Sequence, residues 1–192
     1  MAVLNLNFNR SWSDYKKHWK LPLLLVFLTF PGLLTTPIAL VMCYYIPCLY
    51  YKNNKVLSFS DVTQFVIKNF RKIVIAGIIH MLATSIGFLL CGIPGIIVSL
   101  STPIVILKIV STDKGAIDCV KEGILEFWNG LISGSTRTFA LVQIILLSVM
   151  TIVSTITCGI GTFVAVPYTS FCLYNFLKNN YKDKSAPLLE SE

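Results

Sequence analysis

The side chains that could do chemistry in this chain are few: two histidines, nine acidic residues and six cysteines. His80 stands alone within Ile73–Leu107, a stretch of 35 residues without Asp, Glu, Lys or Arg. An ionisable group at membrane depth is a functional candidate. With no acidic partner in any such stretch, a neutral imidazole bonded to a neighbouring helix is the simpler reading. Cys43, Cys48, Cys91, Cys119, Cys158 and Cys172 form no CxxC pair and no Cys/His ligand spacing, so no zinc or redox site is expected. Cys48, four residues before Lys52, and Cys119 are candidates for S-acylation, with an unmodified thiol as the alternative. Thr84, Ser85, Ser99, Ser101, Thr102, Thr151, Ser154, Thr155 and Thr157 would line a polar path or, more simply, bond back to their own helices. Gln143 fits an interhelical hydrogen bond. No nucleotide loop, Ser/His/Asp set or carboxylate pair is present, and catalysis needs such a convergent constellation. No catalytic, cofactor-binding or metal-binding residue is therefore expected.

The elements that must position these groups follow from the charge map. The chain has 192 residues, is 55% hydrophobic and only 13% charged, about half the charge of an ordinary soluble domain. Three windows lack Asp, Glu, Lys and Arg altogether: Leu21–Tyr51, Ile73–Leu107 and Thr138–Leu177. A helix needs about 20 residues to cross the hydrocarbon core, so the last two windows each hold a pair of spans. The first has room for two short or tilted helices or for a re-entrant hairpin. Each window is broken by Gly or Pro, at Phe30-Pro31-Gly32, Cys91-Gly92-Ile93-Pro94-Gly95 and Cys158-Gly159-Ile160-Gly161, with a further Pro37, Pro103 or Pro167 downstream.

A polar-aromatic stretch precedes each window: Ser11–Trp19, Asp61–Arg71 and Ala116–Trp128. The third carries Ile117, Val120, Ile124, Trp128 and Leu131 at helical spacing, and the second carries Val62, Phe65, Val66 and Phe70. Ser58 followed by Asp61 predicts an N-cap. The whole reads as an all-α polytopic bundle of about six membrane helices in three hairpins, with amphipathic interfacial helices between them. It forms one integral membrane domain over residues 1–178, in pseudo-repeats of roughly 11–52, 58–110 and 113–178, with a polar cytoplasmic tail at 179–192. In that tail Leu188-Leu189 resembles a dileucine sorting signal with its acidic residue out of place.

All 16 Lys and Arg lie outside the three turns. With an even number of spans, both termini then face the cytoplasm. The net charge of +7 flanks apolar windows, which suits anionic headgroups and not nucleic acid. No secretory signal is expected, because the first apolar run begins only at Leu21, behind Trp19 and Lys20. Cys91 and Cys158 share the opposite face, and a bridge between them requires Cα atoms within about 7 Å.

Ile93-Pro94-Gly95, the helix Ala116–Gly123, and Gly159-Ile160-Gly161 leading to Pro167 and Tyr174 resemble a bacterial membrane domain. It is the one fused to glycerophosphodiester phosphodiesterases and found in related bacterial and archaeal membrane proteins. The resemblance covers roughly residues 60–178 and implies a six-helix membrane module. The catalytic domain of the fused proteins has no counterpart here, so no catalytic residue carries over.

These readings lead to a non-enzymatic membrane protein, a structural, membrane-organising or complex-assembly subunit. Its expected partners are membrane lipids and other membrane subunits, with no cofactor. The alternative is a transporter or channel subunit for a small neutral or lipidic solute, for which broken helices argue. The lack of intramembrane charge and a parallel repeat argue against it.

Overall fold

The computed structural model describes residues 8–18, 44–51, 57–156 and 162–181. Every regular element among them is helical: α1 (Phe8–His18), α2 (Phe59–Cys91), α3 (Ile93–Leu100), α4 (Thr102–Ser111), α5 (Ala116–Ser133), α6 (Arg137–Ile156) and α7 (Thr162–Tyr181). Residues 44–51 are helical as well. The Pro31-Gly32 turn and the Cys158–Gly161 turn lie outside the described residues. The chain divides into two compact units, Met1–Leu57 with Leu141–Glu192, and Ser58–Ala140. One boundary falls just before α2, at Ser58, and the other falls inside α6.

In the Ser58–Ala140 unit, α2 starts on a complete capping box. The Ser58 hydroxyl accepts the Asp61 N–H at 3.1 Å, and the Asp61 carboxylate accepts the Ser58 N–H at 2.9 Å. The helix then runs unbroken for 33 residues, about 50 Å. The amphipathic stretch Asp61–Arg71 is therefore the first part of this long helix, not a separate interfacial one. Charged residues in its opening turns do not interrupt backbone hydrogen bonding, so nothing there ends the helix.

Gly92 ends α2. Its φ of +76° is a conformation that glycine adopts without a Cβ clash, and its N–H reaches the Phe88 carbonyl. Pro94 sits in the first turn of α3 and Pro103 in the first turn of α4, where a missing N–H costs little. The expected helix–turn–helix over the second window is thus present, with the return helix jointed at Ser101. Close approach explains Gly95 of the motif and Gly87 opposite it on α2: a Cβ on Gly87 would meet the backbone of Gly95 at 2.6 Å, and one on Gly95 would meet Phe88 at 2.6 Å.

α5 packs along α4 and rests against α2. The buried face of α5 is Cys119, Val120, Gly123, Phe127 and Gly130. That differs from the expected stripe: Val120 is buried, but Ile117 and Trp128 are exposed. The helix is apolar on two faces, and the inward one carries Gly123, where a Cβ would meet Val105 of α4 at 2.6 Å, beside the fully buried Phe127. In the companion stripe on α2, Val62 is buried while Phe70 is 59% exposed. The chain turns sharply after α5, by 108° into α6. Arg137 fastens that corner by donating to the Leu131 and Ile132 carbonyls, both at 2.9 Å.

Ser60–Leu90 and Ile93–Ser111 are each long and apolar enough to cross a membrane, and the bent α5–α6 pair qualifies if taken as one span. Both α2 and α6 carry exposed apolar side chains: Ile78, Leu82, Ile86 and Leu89 on α2, and Ile145, Val149, Ile152 and Ile156 on α6.

Candidate functional site

In the unit formed by residues 1–57 and 141–192, polar groups converge on α1. Ser11, Asp14, Tyr15 and His18, at spacings of three and four, form its buried face. Trp12, Ser13, Lys16 and Lys17 point outward. α1 thus buries its polar residues, and α7 lies against that side.

Asp14 is the hub. It is only 4% exposed, and its two carboxylate oxygens accept hydrogen bonds from the Tyr50 hydroxyl at 3.0 Å and the Tyr51 hydroxyl at 3.1 Å. Lys17 at 3.7 Å and Arg10 at 4.0 Å supply positive charge from the exposed side of the same helix. A buried carboxylate is tolerated only when hydrogen-bonded and paired, and here it is both. His18 lies beside it. Its Nδ1–H donates to the Asp14 carbonyl at 2.9 Å, and Nε2 accepts the Leu57 N–H at 3.2 Å. Those two partners define the neutral tautomer.

Phe171 of α7 sits at the centre of the surrounding rings, stacked on His18 at 5.8 Å and meeting Tyr50 at 6.2 Å and Tyr51 at 6.4 Å. Asn175 donates to the Ser11 hydroxyl at 3.0 Å. Lys178 lies 5.5 Å above the Tyr51 ring and Lys16 lies 5.3 Å above Trp12, both within cation–π range. The cluster ties α1, residues 44–51 and α7 together through hydrogen bonds and ring contacts.

His80, the candidate singled out by sequence, is on α2 in the other unit. Its Nε2 lies 2.8 Å from the Thr102 hydroxyl, which donates its own proton to the Ser99 carbonyl at 2.6 Å. Nε2 therefore carries the hydrogen and donates to Thr102. The imidazole is bonded to the returning helix, in agreement with the simpler reading. Its Nδ1 is a buried acceptor without a partner. Thr84 bonds back to the His80 carbonyl at 2.8 Å, as Ser101 does to Val98, Thr151 to Leu147 and Thr155 to Thr151. These hydroxyls serve their own helices. Gln143 is buried, with its Oε1 unpartnered.

Cys48, Cys119 and Cys172 form no disulfide and are buried. The Cys119 sulfur lies 3.5 Å from the Thr112 hydroxyl and 3.7 Å from the Lys114 carbonyl. Both S-acylation candidates are thus inaccessible in this arrangement. Cys158, Thr157 and the Leu188-Leu189 tail fall outside the described residues. No group of three His, Cys, Asp or Glu side chains able to hold a metal occurs among the described residues.

Basic groups of the Ser58–Ala140 unit have specific tasks. Lys72 donates to the carbonyls of Ile109 at 3.1 Å and Thr112 at 2.5 Å, closing the C-terminus of α4. Lys108 pairs with Glu126 at 2.7 Å, joining α4 to α5.

Reading the sequence for apolar periodicity missed the Asp14 cluster. Two signals were present: Asp14 is the only acidic residue before Asp61, and Arg10 and Lys17 flank it one helical turn to either side. No protein-family model, no curated protein and no solved structure matches the chain.

Proposed function

We propose that this chain is a multi-pass membrane protein with a non-enzymatic role, a structural, membrane-organising or complex-assembly subunit. The observation that carries this reading is the Asp14 cluster: its carboxylate oxygens and both nitrogens of His18 are engaged by other parts of the same chain. Groups held in this way fasten helices and are not poised to act on a substrate. In the full reading, three hairpins of a threefold repeat give six membrane helices. Both termini lie on the basic, cytoplasmic side, as the placement of Lys and Arg outside the turns requires for an even number of spans. α5 lies in the interface with Ile117, Leu125, Trp128 and Ile132 turned outward.

Reconstitution into vesicles tests the role. The protein is expected to alter vesicle size or shape while the leak of a small neutral solute stays at the protein-free level. Unaltered vesicles, together with purification free of any stoichiometric protein partner, would sink the proposal. One observation favours the transporter alternative: the unpartnered Nδ1 of His80 within α2 could accept a hydrogen bond from a passing hydroxyl. Solute flux that disappears in His80→Leu would establish that alternative.

A further inference from the structure

We infer that α2 holds an anionic phospholipid at its basic end, the headgroup phosphate between Lys68 and Arg71 and an acyl chain laid along Ile75, Ile78 and Leu82. The inference rests on the membrane reading above and adds a site and a lipid class to it. Ile67, Arg71, Ile75, Ile78 and Leu82 follow one another at intervals of three or four residues, which places them on one face of the helix. All five are exposed. A guanidinium thus interrupts an outward apolar ridge, with Ile67, 71% exposed, on one side and Ile75 on the other. Lys68 stands one turn before Arg71 and is exposed too.

The contrast with Lys72 is informative. Its ammonium is engaged by the Ile109 and Thr112 carbonyls. Lys68 and Arg71 make no hydrogen bond or ion pair among the described residues. The only acidic residue of α2 is Asp61, whose carboxylate serves the capping box seven residues before Lys68. Two uncompensated cations at the head of a lipid-facing ridge call for an anion joined to an apolar tail. An acidic protein segment would meet the cations but leave the ridge below them uncovered. From Arg71 to Leu82 the helix rises about 16 Å, close to the depth of one leaflet of a hydrocarbon core of about 30 Å. A phosphatidyl headgroup with its chain along the ridge satisfies both requirements.

The test uses the full-length protein in mild detergent with equal amounts of phosphatidylglycerol and phosphatidylcholine, retained lipid being counted by native mass spectrometry. The unaltered chain is expected to retain phosphatidylglycerol preferentially. Lys68→Gln combined with Arg71→Gln should cut that preference roughly tenfold or more, since each basic residue near an anionic surface is worth about a factor of five. Arg71→Lys, which keeps the charge, should preserve most of it, and Lys16→Gln with Lys17→Gln on α1 should leave it unchanged. Equal retention of the two lipids overturns the site. So does a preference that survives the Lys68/Arg71 pair of changes, or one that the α1 pair lowers equally. A thermal midpoint kept by the Lys68→Gln single variant confirms that the fold persists while binding falls. Extraction of the protein from membranes by alkaline wash without detergent would refute the membrane reading itself, whatever lipid is retained.

Discussion

The Asp14 carboxylate joins two tyrosine hydroxyls and two cations, and its energetic weight can be measured directly. Tyr51→Phe removes one charge-assisted hydrogen bond and is expected to cost about 1.5–3 kcal/mol. Asp14→Ala should cost more, because it leaves two tyrosine hydroxyls and two cations without their anion. Combined in a double-mutant cycle, Tyr51→Phe and Asp14→Asn should show coupling of about 0.5–3 kcal/mol in detergent unfolding. Strict additivity would mean that the contact contributes nothing. Hydrophobic periodicity could not find this cluster, because Ser11, Asp14 and His18 make the inward face of α1 polar, and the partners Tyr50 and Tyr51 come from more than thirty residues away. His80, by contrast, was legible because it stands alone in an apolar window, and only its partner, Thr102, needed the structure. At the surface, the Lys114 ammonium bonds to Glu122 at 2.7 Å and holds that carboxyl below its usual range. A depressed folded pKa stabilises above the unfolded value, and the benefit is lost as pH falls through the folded one. The stabilisation from Glu122 should therefore fade on acidification below about pH 4.3, the ordinary glutamate range. In Glu122→Gln that part of the pH dependence should vanish; an unchanged acid profile would discount the pair.

Helices in the Ser58–Ala140 unit are delimited by residues whose roles are local, which is why much of their order could be read in advance. Ser58 and Asp61 open α2, Gly92 closes it, and Pro94 and Pro103 begin the two helices of the return. What the sequence could not convey is which of two apolar faces of α5 would turn inward. That choice depends on the fit of Gly123 and Gly130 against a neighbour. Nor could it convey that Asp61–Arg71 continues into the apolar part of α2, since amphipathic and apolar stretches of a helix share one backbone geometry. Gly95→Ala tests the close approach of α2 and α3. The new Cβ would stand 2.6 Å from the Phe88 backbone nitrogen, and overpacking of this kind costs about 1–3 kcal/mol. A Gly95→Ala protein as stable as the parent would show that α3 is free to move away from α2.

For the whole chain, tags at the two ends test the proposed topology: both should be cleaved by protease only when the cytoplasmic face is open. Cleavage of either tag from the opposite face would end the six-helix, both-termini-inside reading. A last consequence comes from the length of α2. Lys72 marks the charged limit of its apolar part at one end, and Gly92 turns the chain back at the other, leaving Ile73–Cys91 between them, about 28 Å of helix. The stretch cannot lengthen, and upright it suits a hydrocarbon thickness of about 27 Å better than one of about 32 Å. In the proposed membrane reading, the helix is in effect a gauge of bilayer thickness. In vesicles whose short-chain and long-chain lipids separate into domains, the labelled protein should gather in the thinner domains, and enrichment in the thicker ones would show that α2 does not govern the choice.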